Sequence, residues 1–226
     1  MLLCIETSTK NCSIALVEDG LLIGHADEFG DRFIHGERLH TLIQELIHSK
    51  GKTLQDLSGI VVGEGPGSYT GLRIGVSTAK GLAYALGIKL YALPTLGCFD
   101  FTSVTDSTVV TVLDARRDEV FAQVWHNSGS EFQPQGPVEA VIVDEQAWPT
   151  LQGDTGVTVL GDCGEKMTEL LTQIGVHWNV KPTAFPSAKN MAASIALEKH
   201  REVDVAYFEP FYLKDFVAEK SKKKWF

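Results

Sequence analysis

A glycine-rich segment from Gly63 to Gly75 constrains this fold more than any other part of the sequence. It reads GEGPGSYTGLRIG, follows a short apolar run and opens a helix predicted over residues 68–86. Glycines before a helix leave backbone N–H groups free to face an anion. No Gly-Lys-Ser/Thr follows at the spacing of a Walker loop, so that motif is excluded. A strand-to-helix turn that needs left-handed backbone and close packing explains the same glycines, and both interpretations remain open.

The helix after this segment carries small residues on two faces. One face has Gly71, Gly75, Ala79 and Ala83, and another has Ser77, Gly81 and Ala85. A glycine inside a helix costs about 0.5–1 kcal/mol relative to alanine, so three of them need a reason. Small side chains let another backbone approach closely. One face can meet the protein's own sheet, and the second predicts a helix that packs from outside; the alternative is that one lobe covers both.

The order of predicted elements indicates two α/β lobes. Residues 2–6, 12–17 and 21–29 read as a three-strand meander, followed by a helix over 36–49, a strand at 60–62, the helix over 68–86 and a strand at 88–93. The second part has strands at 109–113, 120–125, 138–143 and 157–160, with helices from Asp144 to Trp148, over 165–174 and over 187–200. We therefore predict an N-terminal α/β lobe over 1–105 and a C-terminal α/β lobe with a basic tail over 106–226, each a mixed sheet with helices.

Charge and composition exclude several classes of protein. The chain has 226 residues, a net charge of −9 and 44% hydrophobic residues, enough for a real core. Four lysines lie in Lys220–Phe226, where no acid occurs, so the body before them carries −13 and the tail +4. An acidic body argues against an independent nucleic-acid binder. We expect a disordered, solubilising tail, with direct contact to nucleic acid as the alternative.

Neither the apolar runs nor the cysteines indicate a membrane or secreted protein. No run approaches the roughly 18–20 residues of a membrane span, and Met1–Glu6 lacks a basic region and a cleavage site. The four cysteines are scattered without a C-x-x-C pair, which predicts buried thiols in a reducing cytosol.

Three local patterns could face a ligand. Glu6–Thr9 is either an ordinary polar hairpin or, as in nucleotide-binding proteins of the actin-like plan, a phosphate-binding turn. Asp114–Glu119 is either a solvated turn or presents Arg116 and Arg117 to a phosphate or a partner carboxylate. His35 and His40 lie five residues apart, unlike the i, i+4 spacing of zinc ligands, and we predict surface or interface histidines.

Three segments together resemble the TsaB family, formerly called YeaZ. They are LCIETSTKNCSIAL at Leu3–Leu16, GPGSYTGLRIGVSTAKG at Gly65–Gly81, and Asp114-Ala115-Arg116; the typical Pro210–Leu213 lies near the C-terminus. The resemblance spans the whole chain. It implies a two-lobed actin-like ATPase fold, which agrees with the element order, and a bacterial, cytoplasmic protein.

The resemblance also implies a function within a complex. Members of the family are non-catalytic partners of TsaD, which with the ATPase TsaE makes threonylcarbamoyladenosine beside the anticodon of tRNAs reading codons that start with A. The chain would bind and support TsaD, reach tRNA only through the complex, and form a homodimer in isolation. No cofactor is expected on this chain, because ATP and metal belong to the partner subunits.

Departures from TsaD-like relatives agree with a non-catalytic role. Pro94–Phe99 lacks the two histidines of the metal-binding H-x-x-x-H pattern, and Leu113–Arg117 lacks the glycines of a second phosphate turn. Gly161–Gly164 is at best a remnant of an adenosine loop, and Glu6 replaces the usual Asp. These departures argue against ATP hydrolysis, while residual nucleotide binding at Glu6, Thr7 and Ser8 or at the subunit junction remains open.

In the family, the first two helices of the N-terminal lobe pair with TsaD, and the same surface self-associates. Helical spacing places the interface on Arg38, Leu39, Leu42, Leu46, Leu72, Gly75, Ser77, Thr78 and Leu82. A Gly75→Trp variant is then expected to lose TsaD while the monomer stays folded.

Three other functions compete with this assignment. The fold also serves small-molecule kinases, although the short chain and the missing glycines argue against one. A peptidase label has been attached to the wider family, but the sequence shows no Ser/His/Asp or metal constellation. A stand-alone tRNA binder is the third alternative.

Overall fold

The computed structural model describes residues 1–30, 32–129 and 131–214, which form two mixed sheets with helices. The predicted tail, Lys220–Phe226, lies outside the described residues. The first lobe contains, in chain order, β1 (Leu2–Glu6), β2 (Asn11–Glu18), β3 (Leu21–Phe29), α1 (His35–Ser49), β4 (Gly59–Gly63), α2 (Tyr69–Leu86) and β5 (Lys89–Leu93). The chain continues with β6 (Thr108–Asp114), β7 (Glu119–Asn127), β8 (Phe132–Ile142), β9 (Val157–Gly161), α3 (Gly164–Gln173), β10 (Asn179–Val180), α4 (Met191–Ala196) and β11 (Arg201–Val203).

The two sheets repeat one strand order. The first has six strands in the order β3-β2-β1-β4-β5-β11, and its first five match the order β8-β7-β6-β9-β10 of the second. In each sheet the three meander strands pair antiparallel, and the two later strands join in parallel. This repetition confirms the predicted two-lobed α/β fold of the actin-like ATPase type.

The first lobe buries both faces of its sheet. Because side chains alternate along a strand, Leu3 and Ile5 point to the face covered by α1 and α2, whereas Cys4 points to the face covered by α4. The predicted apolar stripe of α1 is buried in the first of these cores, at Leu39, Leu42, Ile43, Leu46 and Ile47. The internal sheet therefore occupies the apolar face of α1.

The predicted C-terminal lobe over 106–226 is too long, because the end of the described chain belongs to the first sheet. Arg201–Val203 pairs antiparallel with β5 and extends the first sheet, so the end of the described chain returns to the N-terminal lobe. The predicted helix over 187–200 is also shorter, since a single turn of 3-10 helix leads into the six residues of α4. Glu198 then takes a left-handed φ of 54°, which stops the helix.

The predicted helix from Asp144 to Trp148 is wrong. The segment forms successive turns, with Trp148 at a φ of 45° and its ring against Trp178 at 5.6 Å between centroids. The left-handed backbone at Trp148 is incompatible with a continuing right-handed helix. The backbone N–H of Ala147 bonds to the Asp144 carbonyl and the N–H of Gln146 to the Asp144 carboxylate, so residues 144–147 make an isolated turn.

The described residues contain neither a membrane-crossing helix nor a disulfide. No helix in these ranges is long and apolar enough to cross a bilayer. Cys4, Cys12 and Cys98 are buried free thiols and Cys163 is half-buried, close to the prediction. Burial raises the pKa of both Cys12 and Cys163 to about 12, which makes them poor nucleophiles.

Candidate functional site

The hairpin between β1 and β2 is closed and buried. Glu6, Thr7 and Ser8 expose 0%, 1% and 2% of their surface. The Glu6 carboxylate turns back into the hairpin, where Oε1 accepts the N–H of Ser8 at 2.7 Å and Oε2 accepts the hydroxyl of Thr95 at 3.2 Å. The hairpin's own acid therefore takes up a backbone N–H that a bound anion would need.

Burial raises the pKa of Glu6 above its ordinary value. Hydrogen bonds from Ser8, Thr95 and Thr7 act in the opposite direction, but burial is the larger effect. A carboxyl group removed from water and held by neutral donors is a structural acceptor, since no substrate can reach it in this arrangement. Nucleotide binding at Glu6, Thr7 and Ser8 stays a prediction, and it would require this hairpin to open.

Glycines of the Gly63–Gly75 motif let the chain approach this hairpin closely. A Cβ at Gly63 would collide with the Glu6 carboxylate. On α2, a Cβ at Gly71 or Gly75 would collide with Thr7, whose hydroxyl donates to the Gly71 carbonyl at 2.8 Å. The motif thus serves close packing, one of its two sequence interpretations.

The second hairpin, between β6 and β7, turns without glycine. Arg116 and Arg117 take φ angles of 74° and 52°, and both side chains are exposed. The Asp114 carboxylate stabilises the turn by accepting the N–H of Arg116 at 2.9 Å, and it pairs with Lys166 at 2.7 Å. The hairpin is solvated, as one of its two sequence interpretations predicted.

A half-buried carboxyl lies next to this second hairpin. Asp162 Oδ1 accepts the N–H of Asp114 at 2.9 Å, which ties β6 to the end of β9. Burial is the main cause that raises the pKa of Asp162 to about 6; the Asp114 carboxylate acts in the same direction and the hydrogen bond from the Asp114 N–H in the opposite one. Because its pKa is about 6, this carboxyl group changes charge just below neutral pH, at a point that links two strands of the second sheet.

The two predicted histidines differ in their environment. His40 is exposed, as expected, but His35 is completely buried and its Nε2 lies 2.7 Å from the Thr9 carbonyl oxygen. Burial lowers the pKa of His35. The prediction of a surface or interface residue is therefore wrong for His35, which ties α1 to the first hairpin. The described ranges contain no group of three or more His, Cys, Asp or Glu side chains placed to hold a metal ion.

Most residues predicted to bind a partner lie inside the first lobe. Six are buried: Leu39, Leu42, Leu46, Leu72, Gly75 and Thr78. Of the other three, Ser77 is exposed, and Arg38 and Leu82 are half-buried. Helical spacing identified an apolar stripe, but the lobe's own sheet and hairpin already cover it. The six buried residues are not accessible to a partner in this structure, which corrects their predicted role as contact residues. Partner binding by this pair of helices stays a prediction.

The two faces of α2 that carry small residues differ in exposure. Gly71, Gly75, Ala79 and Ala83 are buried, whereas Ser77, Gly81 and Ala85 are exposed. Nothing lies within 4 Å of the position that a Cβ on Gly81 would take. Tyr84 is 84% exposed on the same helix. We call Ser77, Gly81, Tyr84 and Ala85 the outer face of α2.

A second segment beside α2 was missed by sequence reasoning. Lys80 donates to the carbonyl oxygens of Ala206 and Phe208, at 3.1 and 2.8 Å, and so holds the turn after β11 against α2. Tyr207, at the centre of this turn, is 86% exposed. The nearby Pro210–Leu213 carries a family resemblance, but no periodic pattern in the sequence marks the turn itself.

Known families and structures agree with this architecture. A family model described as TsaD, tRNA N6-adenosine threonylcarbamoyltransferase, matches residues 34–141. YeaZ from Pseudomonas aeruginosa superposes with a TM-score of 0.78 at 24% identity, covering 94% of this chain and 99% of that one. At this identity the likeness shows the fold alone.

Curated relatives match over nearly the whole chain. The tRNA threonylcarbamoyladenosine biosynthesis protein TsaB of Escherichia coli is 28% identical over 227 residues, 97% of this chain and 96% of its own length. The protein of the same name from Haemophilus influenzae is 31% identical over 232 residues, 97% of this chain and 95% of its own length. The chain belongs to the TsaB family.

Proposed function

We propose that the chain takes part in tRNA threonylcarbamoyladenosine biosynthesis as a non-catalytic subunit that binds and supports a TsaD-like transferase. Its full-length relatives carry the name of that pathway, which supports the pathway assignment. The match of residues 34–141 to the TsaD model supports a shared plan with the catalytic subunit.

The outer face of α2 is the observation that carries the binding role. Internal packing explains the glycines at positions 71 and 75, but Gly81 has open space on its outer side. A glycine there lowers helix stability without serving the monomer, since alanine would fit. An approaching partner helix gives this glycine a function, because small residues allow close contact between backbones.

The closed hairpin supports the non-catalytic part of the proposal. Ser8 N–H is engaged by Glu6, and side chains at Gly63 or Gly71 have no room. An ATP-hydrolysing subunit needs backbone donors that are free to hold phosphate. Measuring ATP turnover by the purified chain separates this role from the alternative of a small-molecule kinase, which predicts turnover without TsaD.

Reconstitution is the direct test of the proposed function. Modification of tRNA is assayed with TsaD and TsaE, with and without this chain. We expect the modification to depend on the chain, and equal modification without it would refute the supporting role. Binding of tRNA that needs TsaD would agree with an indirect contact, whereas equally tight binding by the chain alone would favour the stand-alone tRNA binder.

The partner surface has its own test. Gly81→Trp places a large side chain on the outer face of α2 and is expected to abolish TsaD capture. Gly153→Trp is the matched control, since nothing lies within 4 Å of its Cβ position either. If both variants capture TsaD at the wild-type level, the outer face of α2 is not part of the interface. The earlier choice, Gly75→Trp, is unsuitable because that position contacts Thr7.

The finer features of the proposal follow the family. They are action on the adenosine beside the anticodon of tRNAs reading codons that start with A, cooperation with a TsaE-like ATPase, and self-association in isolation. An isolated homodimer that dissociates when TsaD is added would support a shared surface, and sedimentation of the wild-type and Gly81→Trp chains measures it.

A further inference from the structure

A cavity of about 920 Å³ lies between the lobes, away from the outer face of α2. Its walls come from the chain after β5, from β7 and β8, and from α4. Cavities of roughly 300–1,000 Å³ are typical of small-molecule sites. The size alone is therefore compatible with a ligand of drug-like dimensions.

Three aromatic rings form one wall of this cavity. Phe101 stacks on Phe132, with 5.2 Å between centroids and 24° between ring planes, and it is tilted against Trp125 at 5.3 Å. All three rings line the cavity and are half-buried. Such a wall favours a flat apolar group, which gains both burial and offset stacking.

The acids at the cavity rim already have partners. Glu131 pairs with Lys199 at 2.6 Å. The Asp100 carboxylate accepts both the N–H and the hydroxyl of Thr102, at 2.9 and 2.6 Å. These hydrogen bonds lower the pKa of Asp100, so it stays ionised and committed to Thr102. Lys199 therefore neutralises Glu131, and Thr102 occupies the Oδ1 atom of Asp100.

Lys189 is the free charge of the rim. Within residues 1–30, 32–129 and 131–214, its ammonium group makes no ion pair and no hydrogen bond, although it lies in the field of Asp100. The side chain is half-buried and also borders a neighbouring cavity of about 460 Å³. A cation held near an apolar wall without its own partner is complementary to a single anionic group.

We propose that the cavity binds a small monoanionic ligand with a planar apolar body. Its ring system lies on Phe101, Phe132 and Trp125, and its carboxylate or sulfonate group lies at Lys189. Leu197, which lines the same cavity and is 52% exposed, offers a further apolar contact to the ring. The site is separate from the proposed partner surface, and neither proposal depends on the other.

Two fluorescent probes test the site as a matched pair. Anilinonaphthalene sulfonate carries the proposed anion, and phenylnaphthylamine has the same rings without it. We expect saturable binding of both to the full chain. Lys189→Gln should raise the Kd of the sulfonate about tenfold and leave that of the uncharged probe unchanged. Equal Kd values of the sulfonate for wild type and Lys189→Gln would overturn the proposal.

Two further variants locate the ring. Phe132→Ser removes part of the aromatic wall and should weaken both probes; if it fails to fold, Leu197→Asn gives the same test at a more exposed position. Tyr84→Ser, on the outer face of α2, is the control and should leave both Kd values unchanged. Probe binding that is lost with Tyr84→Ser but kept with Leu197→Asn would place the site elsewhere and refute the proposal. Circular dichroism of each variant confirms that the fold is retained.

Discussion

The backbone N–H of Ser8 donates a 2.7 Å hydrogen bond to the carboxylate of Glu6, two residues earlier in the same hairpin. This bond closes the turn between β1 and β2 from inside. Thr95, 89 residues later, donates to the second oxygen of the same carboxylate. The first hairpin is consequently held together by a buried acid that belongs to the protein's own structure.

Substituting Glu6 by Gln tests this structural role through pH. Burial raises the pKa of Glu6 in the folded protein above its ordinary value of 4.5, so the folded state binds this proton more tightly than the unfolded state does. The stability that protonation contributes is complete below pH 4.5 and is lost as the pH rises through the higher folded-state value. We expect the Gln variant to gain stability relative to wild type over that rise, measured by urea unfolding from pH 4 to pH 8.

The control for this experiment is Glu169→Gln, at an exposed position on α3. Its difference from wild type should stay small and flat across the same pH range. A flat difference curve for Glu6→Gln as well would contradict the raised pKa, and a large loss of stability at every pH would show that Gln cannot replace the acceptor.

Two glycines on α2 should respond oppositely to alanine. A Cβ at Gly75 collides with the hydroxyl of Thr7, so Gly75→Ala is expected to lower the free energy of unfolding by about 1–3 kcal/mol. Gly81 has open space, so Gly81→Ala should raise it by about 0.5–1 kcal/mol through helix propensity alone. Urea denaturation of the two variants measures both values, and a shift of the same sign would contradict the assignment of the two faces.

Local patterns predict much of this fold because they are dictated by local physics. The stripe of α1 and the meander β1–β3 follow from residue spacing, and the Asp19-Gly20 turn takes the left-handed φ angles of 51° and 77° that its sequence favours. By contrast, β11 has only three residues, two of them charged, and exists because β5 offers a free edge. No period of the sequence marks such a strand.

The site was harder to predict, because an amphipathic stripe does not say what covers it. Leu39 and Leu72 satisfy the spacing of a partner interface and of a lobe core equally well, and the structure places both in the core. The role of Glu6 depends likewise on Gly63 and Thr95, which are distant in sequence. The open side of Gly81 is visible only after the other face of α2 has been packed.

We expect the stability of the second sheet to depend on pH through Asp162, which accepts a hydrogen bond from the Asp114 N–H. The pKa of Asp162 is raised from 3.8 to about 6, chiefly by burial, so protonation favours the folded state. The stabilising effect is complete below pH 3.8 and is lost as the pH rises through about 6. Asp162→Asn keeps an acceptor for the Asp114 N–H and should become more stable relative to wild type over this window. Thermal melting at intervals from pH 4 to pH 8 measures the difference, and a midpoint far from 6 would contradict the assignment.

Lys80 ties the exposed Tyr207 turn to α2, so its removal should loosen this turn. Lys80→Met keeps the aliphatic stem but removes the hydrogen bonds to the carbonyl oxygens of Ala206 and Phe208. We expect a loss of about 1–3 kcal/mol in the free energy of unfolding, with faster amide exchange confined to the turn. Lys89→Met is the matched control, because its ion pair with Glu202 is exposed and solvent-screened pairs contribute little to stability. If both variants show equal stability and equal exchange in the turn, Lys80 does not hold this segment in place.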